Sequence, residues 1–160
     1  MPEFHPLPGG GVRLLLDPDE ARVLRGLAGE LRSILAGSGP ADDPVVERLF
    51  PAAYDDPLEE ETYRDLVGGD LEQEKIAGLD AISNALSDGD DADVSLGADD
   101  ASAWLASLTD LRLALGTRLG VDEERMAAQV EPADPDAAAL TVLHWLGWVQ
   151  EGLLHALQQA

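Results

Sequence analysis

The sequence predicts a mainly α fold: a single-domain helical bundle with a small two-stranded β ribbon. Three observations lead there. The chain has 160 residues, 45% of them hydrophobic, enough for one domain with its own core. Long stretches repeat apolar residues at the three- and four-residue spacing of amphipathic helices. Two short β-like runs, Val12 to Leu16 and "VSL" at 94–96, each precede an aspartate-bearing turn and a long apolar helix. One pattern therefore occurs twice, over Gly10 to Leu35 and Asp93 to Leu119. A two-stranded ribbon is marginal alone and needs helices packed on it.

The elements follow in order. Residues 1–10 are expected to be a flexible N-terminus. They hold no basic segment followed by an apolar run, so no signal peptide is read there. After the strand Val12 to Leu16, Asp17 is the expected N-cap of a helix, with Pro18 at N1 and acids in the first turn. Val23, Leu24, Leu27, Leu31, Ile34 and Leu35 then fall on one face. Residues 36–44 read as a loop, "VVERLF" as a short helix stopped by Pro51, and "PAAYDDP" as an irregular turn. A helical pattern from Leu58 to Leu86 is broken at "VGGD", with Asp70 as the expected cap of its second half. Residues 87–93 are an acidic loop. The helix through Trp104 and Leu119 is apolar over most of its circumference, so it is expected at the centre. "DEERMAAQVEPADP" offers one helical turn. The last helix, Asp136 to Gln158, carries an arc of Val142, Leu146, Val149, Leu153 and Leu157, flanked by Trp145 and Ala156. That arc is expected to pack on the central helix.

Charge and composition narrow the function. Ten Lys+Arg against 32 Asp+Glu give a net charge of -22, a surface that repels phosphate backbones and anionic lipid. Direct nucleic-acid binding by the chain alone is not expected, and neither is membrane association. With no cysteine, disulfides, thiol redox chemistry and Cys-ligated metal centres are excluded. No apolar stretch reaches the roughly 20 residues of a membrane span, and a cytoplasmic location is expected. The chain lacks HExxH, P-loop, GxSxG and dinucleotide motifs. His144, Trp148, Glu151 and His155 share one stripe of the last helix. Only Glu151 and His155 are close enough to share an ion, and two ligands do not make a site. No cofactor is expected.

"LTDLRLALGTRLGV", Leu108 to Val121, sets two of the scarce arginines among leucines. On a helical wheel Arg112 falls between Leu105 and Leu119, and Arg118 beside Leu111. Both flank the apolar stripe. A guanidinium so near a core needs a partner, because an unpaired buried charge is very costly. Both are expected to bond carboxylates from elsewhere in the chain, with Asp55, Asp56, Asp65 and Asp110 as candidates. Arg22, Arg25 and Arg32 are expected to pair with the chain's own acids. Trp148 lies off the apolar arc; it either packs on the 51–57 turn or stays partly exposed as an anchor for a partner.

"RLFPAAYDDP", "WLASLTDLRLALGTRLGV" and "LHWLGWVQEGLLHAL" resemble three signature blocks of the AosR-like oxidative-stress transcriptional regulators. This is an actinobacterial family first catalogued as a domain of unknown function. "GGGVRLLLDPDEARVLRGL" and "DLEQEKIAGLDAI" fit as well, so the resemblance covers almost the whole chain. It implies a small, non-enzymatic, cytoplasmic regulator without cofactor, acting through a protein partner such as an alternative sigma factor. Members are commonly encoded beside the adaptor of a Clp protease, which implies a proteolysis-linked role as an alternative. The positions matching the blocks include Arg48, Tyr54, Asp55, Asp56, Trp104, Asp110, Arg112, Arg118, Trp145, Trp148 and Glu151, expected as partner-binding or structural residues. A small enzyme with a buried Asp/Arg site is the third reading, and it requires these residues to converge on one pocket. An oligomer is compatible with all three. Without cysteine, stress sensing by thiol oxidation has no place in this chain.

Overall fold

A computed structural model describes residues 1–38, 43–50, 56–63, 66, 69–86 and 90–160. These residues are mainly helical and carry a small three-stranded antiparallel sheet of order β1-β2-β3. β2 (Val12–Leu16) and β3 (Ala92–Leu96) are the two strands the sequence predicts, and Leu14 stands opposite Val94. The third strand corrects the expected ribbon. β1 (Glu3–Pro6) lies in the segment expected to be flexible, and it pairs with β2, Phe4 opposite Leu14. "EFHP" gives no apolar alternation, since this edge strand leaves most of its side chains exposed. Its order comes from backbone pairing. The Leu7 N–H donates to the Gly11 carbonyl at 3.0 Å and closes the hairpin. Gly11 has φ +108° and any Cβ there would collide with the Leu96 carbonyl of β3, so the turn requires glycine.

α1 (Pro18–Ser33) opens with the expected cap, completed as a capping box. The Asp17 carboxylate accepts the Glu20 N–H at 2.8 Å, and the Glu20 carboxylate accepts the Asp17 N–H at 3.0 Å. Ala21, Leu24, Ala28 and Leu31 are buried, whereas Val23, placed on the apolar face by spacing, sits at its edge and is exposed. The helix runs into a widened, π-helical turn at Ile34–Ser38, so the expected 36–44 loop starts inside helical structure. α2 (Pro44–Leu49) takes up its last residue. α3 (Pro57–Tyr63) and α4 (Gly69–Ala85) divide the Leu58–Leu86 pattern. Asp70 lies within the first turn of α4 rather than capping it. There its charge still faces the positive end of the helix dipole. Of the expected 87–93 loop, 92 and 93 belong to β3, and 87–89 lie outside the described residues.

α5 (Ala98–Leu119) holds the expected central place: it touches α1, α2, α4, α7 and β3. Trp104 and Leu108 are buried, and Gly120, at φ +62°, ends the helix in the left-handed conformation. The one expected turn of 122–135 is α6 (Glu123–Ala127). α7 (Ala137–Gln159) packs on α5 through Leu146, Val149, Leu153 and Ala156, with Val142 and Leu157 partly buried. Leu140 and Leu143 are buried too, extending the arc beyond the expected set. β1 and β2 meet α7 on another side. A Cβ at Gly152 would strike the ring of Phe4. Among the described residues no helix is long and apolar enough to cross a membrane.

α4 reaches α5 at a similar close approach. A Cβ at Gly78 would overlap the hydroxyl of buried Ser107 and sit 3.9 Å from its Cβ. Gly78→Ala is therefore expected to destabilise by about 1–3 kcal/mol through overpacking. Adding Ser107→Ala removes the overlapping oxygen and should recover most of the loss. Urea unfolding of the single and double variants measures both steps, and a single variant as stable as the parent refutes this contact as the limit on helix approach.

Candidate functional site

α5 carries three polar clamps, each to a different neighbour. Asp110, 7% exposed, accepts a bond from Lys75 Nζ of α4 at 2.9 Å. The same ammonium lies 5.8 Å from the centre of the Phe50 ring, within cation–π reach. Asp43, 2% exposed, does two jobs. One oxygen accepts the Val45 N–H at 2.9 Å and caps α2; the other accepts Arg118 Nη2 at 2.7 Å. Arg112 donates through Nη1 to Gln150 Oε1 of α7 at 2.8 Å. The Gln150 amide continues to the Leu105 carbonyl at 3.2 Å and the Thr109 hydroxyl at 2.5 Å.

The expectation for the two arginines therefore holds for Arg118 and needs correction for Arg112. Arg118 does bond a carboxylate from elsewhere in the chain, that of Asp43. Arg112 bonds an amide, because its side of α5 faces α7, where Gly147 leaves room for the guanidinium and Gln150 supplies the acceptor. Asp110 turns the other way, to α4. Asp43 falls in the expected 36–44 loop, though "DP" before a helix repeats the Asp17–Pro18 cap and is a signal of the same kind. Lys75 carried one signal, as the only lysine in an acidic chain. Arg22 and Arg32 pair with Asp19 at 2.5 Å and Asp80 at 2.6 Å, as expected of them.

The remaining signature residues are dispersed. Trp104 is core. Trp145 is partly buried and donates its indole N–H to Glu20 Oε2 at 3.3 Å, joining α7 to the start of α1. Asp56 is exposed and accepts the Leu58 N–H at 2.9 Å at the start of α3. Arg48 is exposed on α2. Tyr54, Asp55 and Asp65 lie outside the described residues. Of the described signature residues Arg48 and Arg112 line one groove; Asp110, Arg112, Arg118 and Trp145 tie helices together. Among the described residues no group of three or more His, Cys, Asp or Glu side chains is placed to hold a metal. His144 accepts from or donates to nothing on the Glu151 stripe; its Nε2 sits 3.0 Å from the Met126 carbonyl.

The outer face of α7 is different. Trp148 is 43% exposed and Leu154 44% exposed, with exposed Glu151 between them on the wheel. A shallow groove of about 350 Å³ runs beside them, between Leu105, Ala106 and Thr109 of α5 and Gln150, Glu151 and Leu154 of α7. Two large apolar side chains with an acid between them form a compact patch on an acidic molecule.

Residues 1–157 match the family model described as "Domain of unknown function (DUF2017)". The chain is also similar to proteins named oxidative stress regulator AosR from Mycobacterium bovis and Mycobacterium tuberculosis. Each is 27% identical over an alignment of 184 residues that covers 93% of this chain and 83% of the relative. No solved structure matches.

The Lys75–Asp110 pair is nearly dry, with the side chains 18% and 10% exposed. Lys75→Met is expected to cost about 3–5 kcal/mol, because it strands a buried carboxylate. The double variant Lys75→Met/Asp110→Leu should regain most of it. Thermal melts of both decide the matter, and a double variant no better than the single overturns the charge argument.

Acid should act through three surface carboxyls. Accepting the Glu20 backbone N–H holds the Asp17 carboxyl below the ordinary aspartate range. Arg13, bonded at 2.8 and 2.7 Å, does the same for Asp93. The Asp136 backbone N–H does so for Asp134. All three shifts are downward, so the folded chain binds these protons less readily than the unfolded one. Their contribution is complete above the ordinary carboxylate range and is lost as pH falls through the folded values, below roughly pH 4. The melting temperature should fall there, less steeply in Asp93→Asn; an unchanged slope in that variant removes Asp93 from the account.

Proposed function

Because the chain belongs to the DUF2017 family, a domain of unknown function, and resembles a named stress regulator, we propose that it is a non-enzymatic cytoplasmic regulator. It acts by binding another protein in the transcriptional response to oxidative stress, and an alternative sigma factor is the partner the family resemblance favours. The observation that carries this reading is the outer face of α7, where Trp148 stands 43% exposed beside Glu151 and Leu154. Exposed tryptophan ringed by polar groups is a frequent hot spot in interfaces. The net charge of -22 favours a partner with a basic surface and speeds encounter at low salt.

The test uses the full chain and purified sigma factors of the source organism, with binding followed at low and at physiological salt. Trp148→Ala should leave the melting temperature nearly unchanged and weaken binding about 30-fold, the equivalent of roughly 2 kcal/mol. Binding should also weaken as salt rises. Full affinity in the variant rules out α7 as the docking face. Tight binding of duplex DNA by the chain alone rules out the protein-partner mechanism itself.

A further inference from the structure

A second concave site lies among α2, α5, α6 and α7 and shares Thr109 with the groove beside Glu151 and Leu154. It encloses about 380 Å³ and is walled by Leu113, Val121, Met126 and Leu143, with Arg48 and Arg112 among its lining. The volume falls at the lower end of small-molecule sites, and the mix of apolar walls with a few polar groups is typical of them.

The arginines single this groove out. Among the described residues Arg13, Arg22, Arg32, Lys75, Arg118 and Arg125 are each bonded to a carboxylate, and Arg25 is not free either. Arg48 and Arg112 bond none of the described carboxylates, in a chain with 32 acidic side chains. Both line the same groove. Arg112 is under-satisfied as well. Nη1 is taken by Gln150, Nε is buried with no acceptor, and Nη2 has no acceptor among the described residues. Nε is closed off from solvent, so Nη2 is the donor left for a partner that the protein itself does not supply. Two guanidiniums facing one apolar groove suit a planar anion attached to an apolar body, because guanidinium donors match carboxylate geometry.

The surroundings decide which anion. Asp122 and Glu123 stand on the same groove, and the whole molecule is strongly negative. Both penalise a dianion more than a monoanion. We propose that this groove binds a small molecule carrying a single carboxylate on an apolar body. The carboxylate bridges Arg48 and Arg112, and the body lies against Leu113, Val121, Met126 and Leu143. Trp148, Glu151 and Leu154 do not line this site, so Arg48→Gln and Gly116→Leu test it without altering the face on which the partner reading rests.

Octanoate is the probe, titrated into the full-length protein by calorimetry and by amide NMR. Acetate carries the charge without the body, octanol the body without the charge, and octyl phosphate a dianion on the same body. Octanoate should bind saturably at one site per chain, and each of the other three at least tenfold more weakly. Arg48→Gln, at an exposed position, should weaken octanoate about tenfold, the loss expected of one charge-assisted hydrogen bond. Gly116 lines the groove and a Cβ there meets nothing within 4 Å, so Gly116→Leu should fill the space and abolish binding while the helix still forms. No saturable octanoate binding up to millimolar concentration overturns the site. So does octanol or acetate binding as well as octanoate, or both variants retaining full affinity. Tighter binding of octyl phosphate overturns the choice of a monoanion.

Discussion

A helix packed against four others and a strand must meet them with its polar groups as well as its apolar ones, and α5 is such a helix. Its apolar residues only require neighbours. Its polar residues require particular neighbours, at hydrogen-bond distance, because a buried charge without a partner costs several kcal/mol. Asp110 thus fixes α4 through Lys75, Arg118 fixes α2 through Asp43, and Arg112 fixes α7 through Gln150. Each clamp acts between different elements, so together they constrain how the helices turn about α5. The apolar contacts alone would tolerate rotation of one helix on another more readily. Asp43 adds a second constraint. By capping α2 with one oxygen and holding Arg118 with the other, it ties the start of one helix to the last turn of another.

Local chemistry is what could be read ahead. β2 alternates apolar residues, α1 carries an aspartate, a proline and acids at its start, and α5 and α7 have wide apolar arcs; each pattern needs only its own residues to be recognised. β1 has no such pattern. Its order is created by β2, which offers an unpaired edge, and by Gly152, which leaves space for Phe4. The arginines divide along the same line. Their place beside the apolar stripe shows from the wheel that they need partners, and the wheel carries no information on which element faces each. Chemistry alone favours a carboxylate for Arg112, yet the facing helix offers an amide. The candidate patch was half legible: Trp148 lies off the apolar arc by spacing alone, whereas its exposure depends on what the rest of the chain leaves uncovered.

The imbalance of charge gives the cations a structural meaning that they would lack in a neutral protein. With ten basic side chains for 32 acidic ones, every cation has carboxylates in excess to choose from, and most acids stay unpaired. Arg13 joins β2 to β3 through Asp93, Arg32 joins α1 to α4 through Asp80, and Arg125 gathers Asp134 and Asp136 before α7. Surface pairs of this kind each contribute little. Their consistent use across elements nevertheless leaves acids in large excess over bases.

α7 shows how one helix serves both interior and exterior. Leu146, Val149 and Leu153 are buried against the core, and Gly152 lets β1 come close on one flank. On the other flank Gly147 admits the Arg112 guanidinium and Gln150 binds it. These contacts fix the helix about its own axis, so the direction in which Trp148 points is set by residues on other faces of α7. A side chain anchored this way loses little freedom on binding, and such pre-organisation lowers the entropic cost of association. The side chains that hold α7 in place are therefore as much a part of the outer face as Trp148 itself. Changes at Gly147 or Gln150 should turn the helix and with it Trp148, so under the proposed function they weaken partner binding even with Trp148 intact.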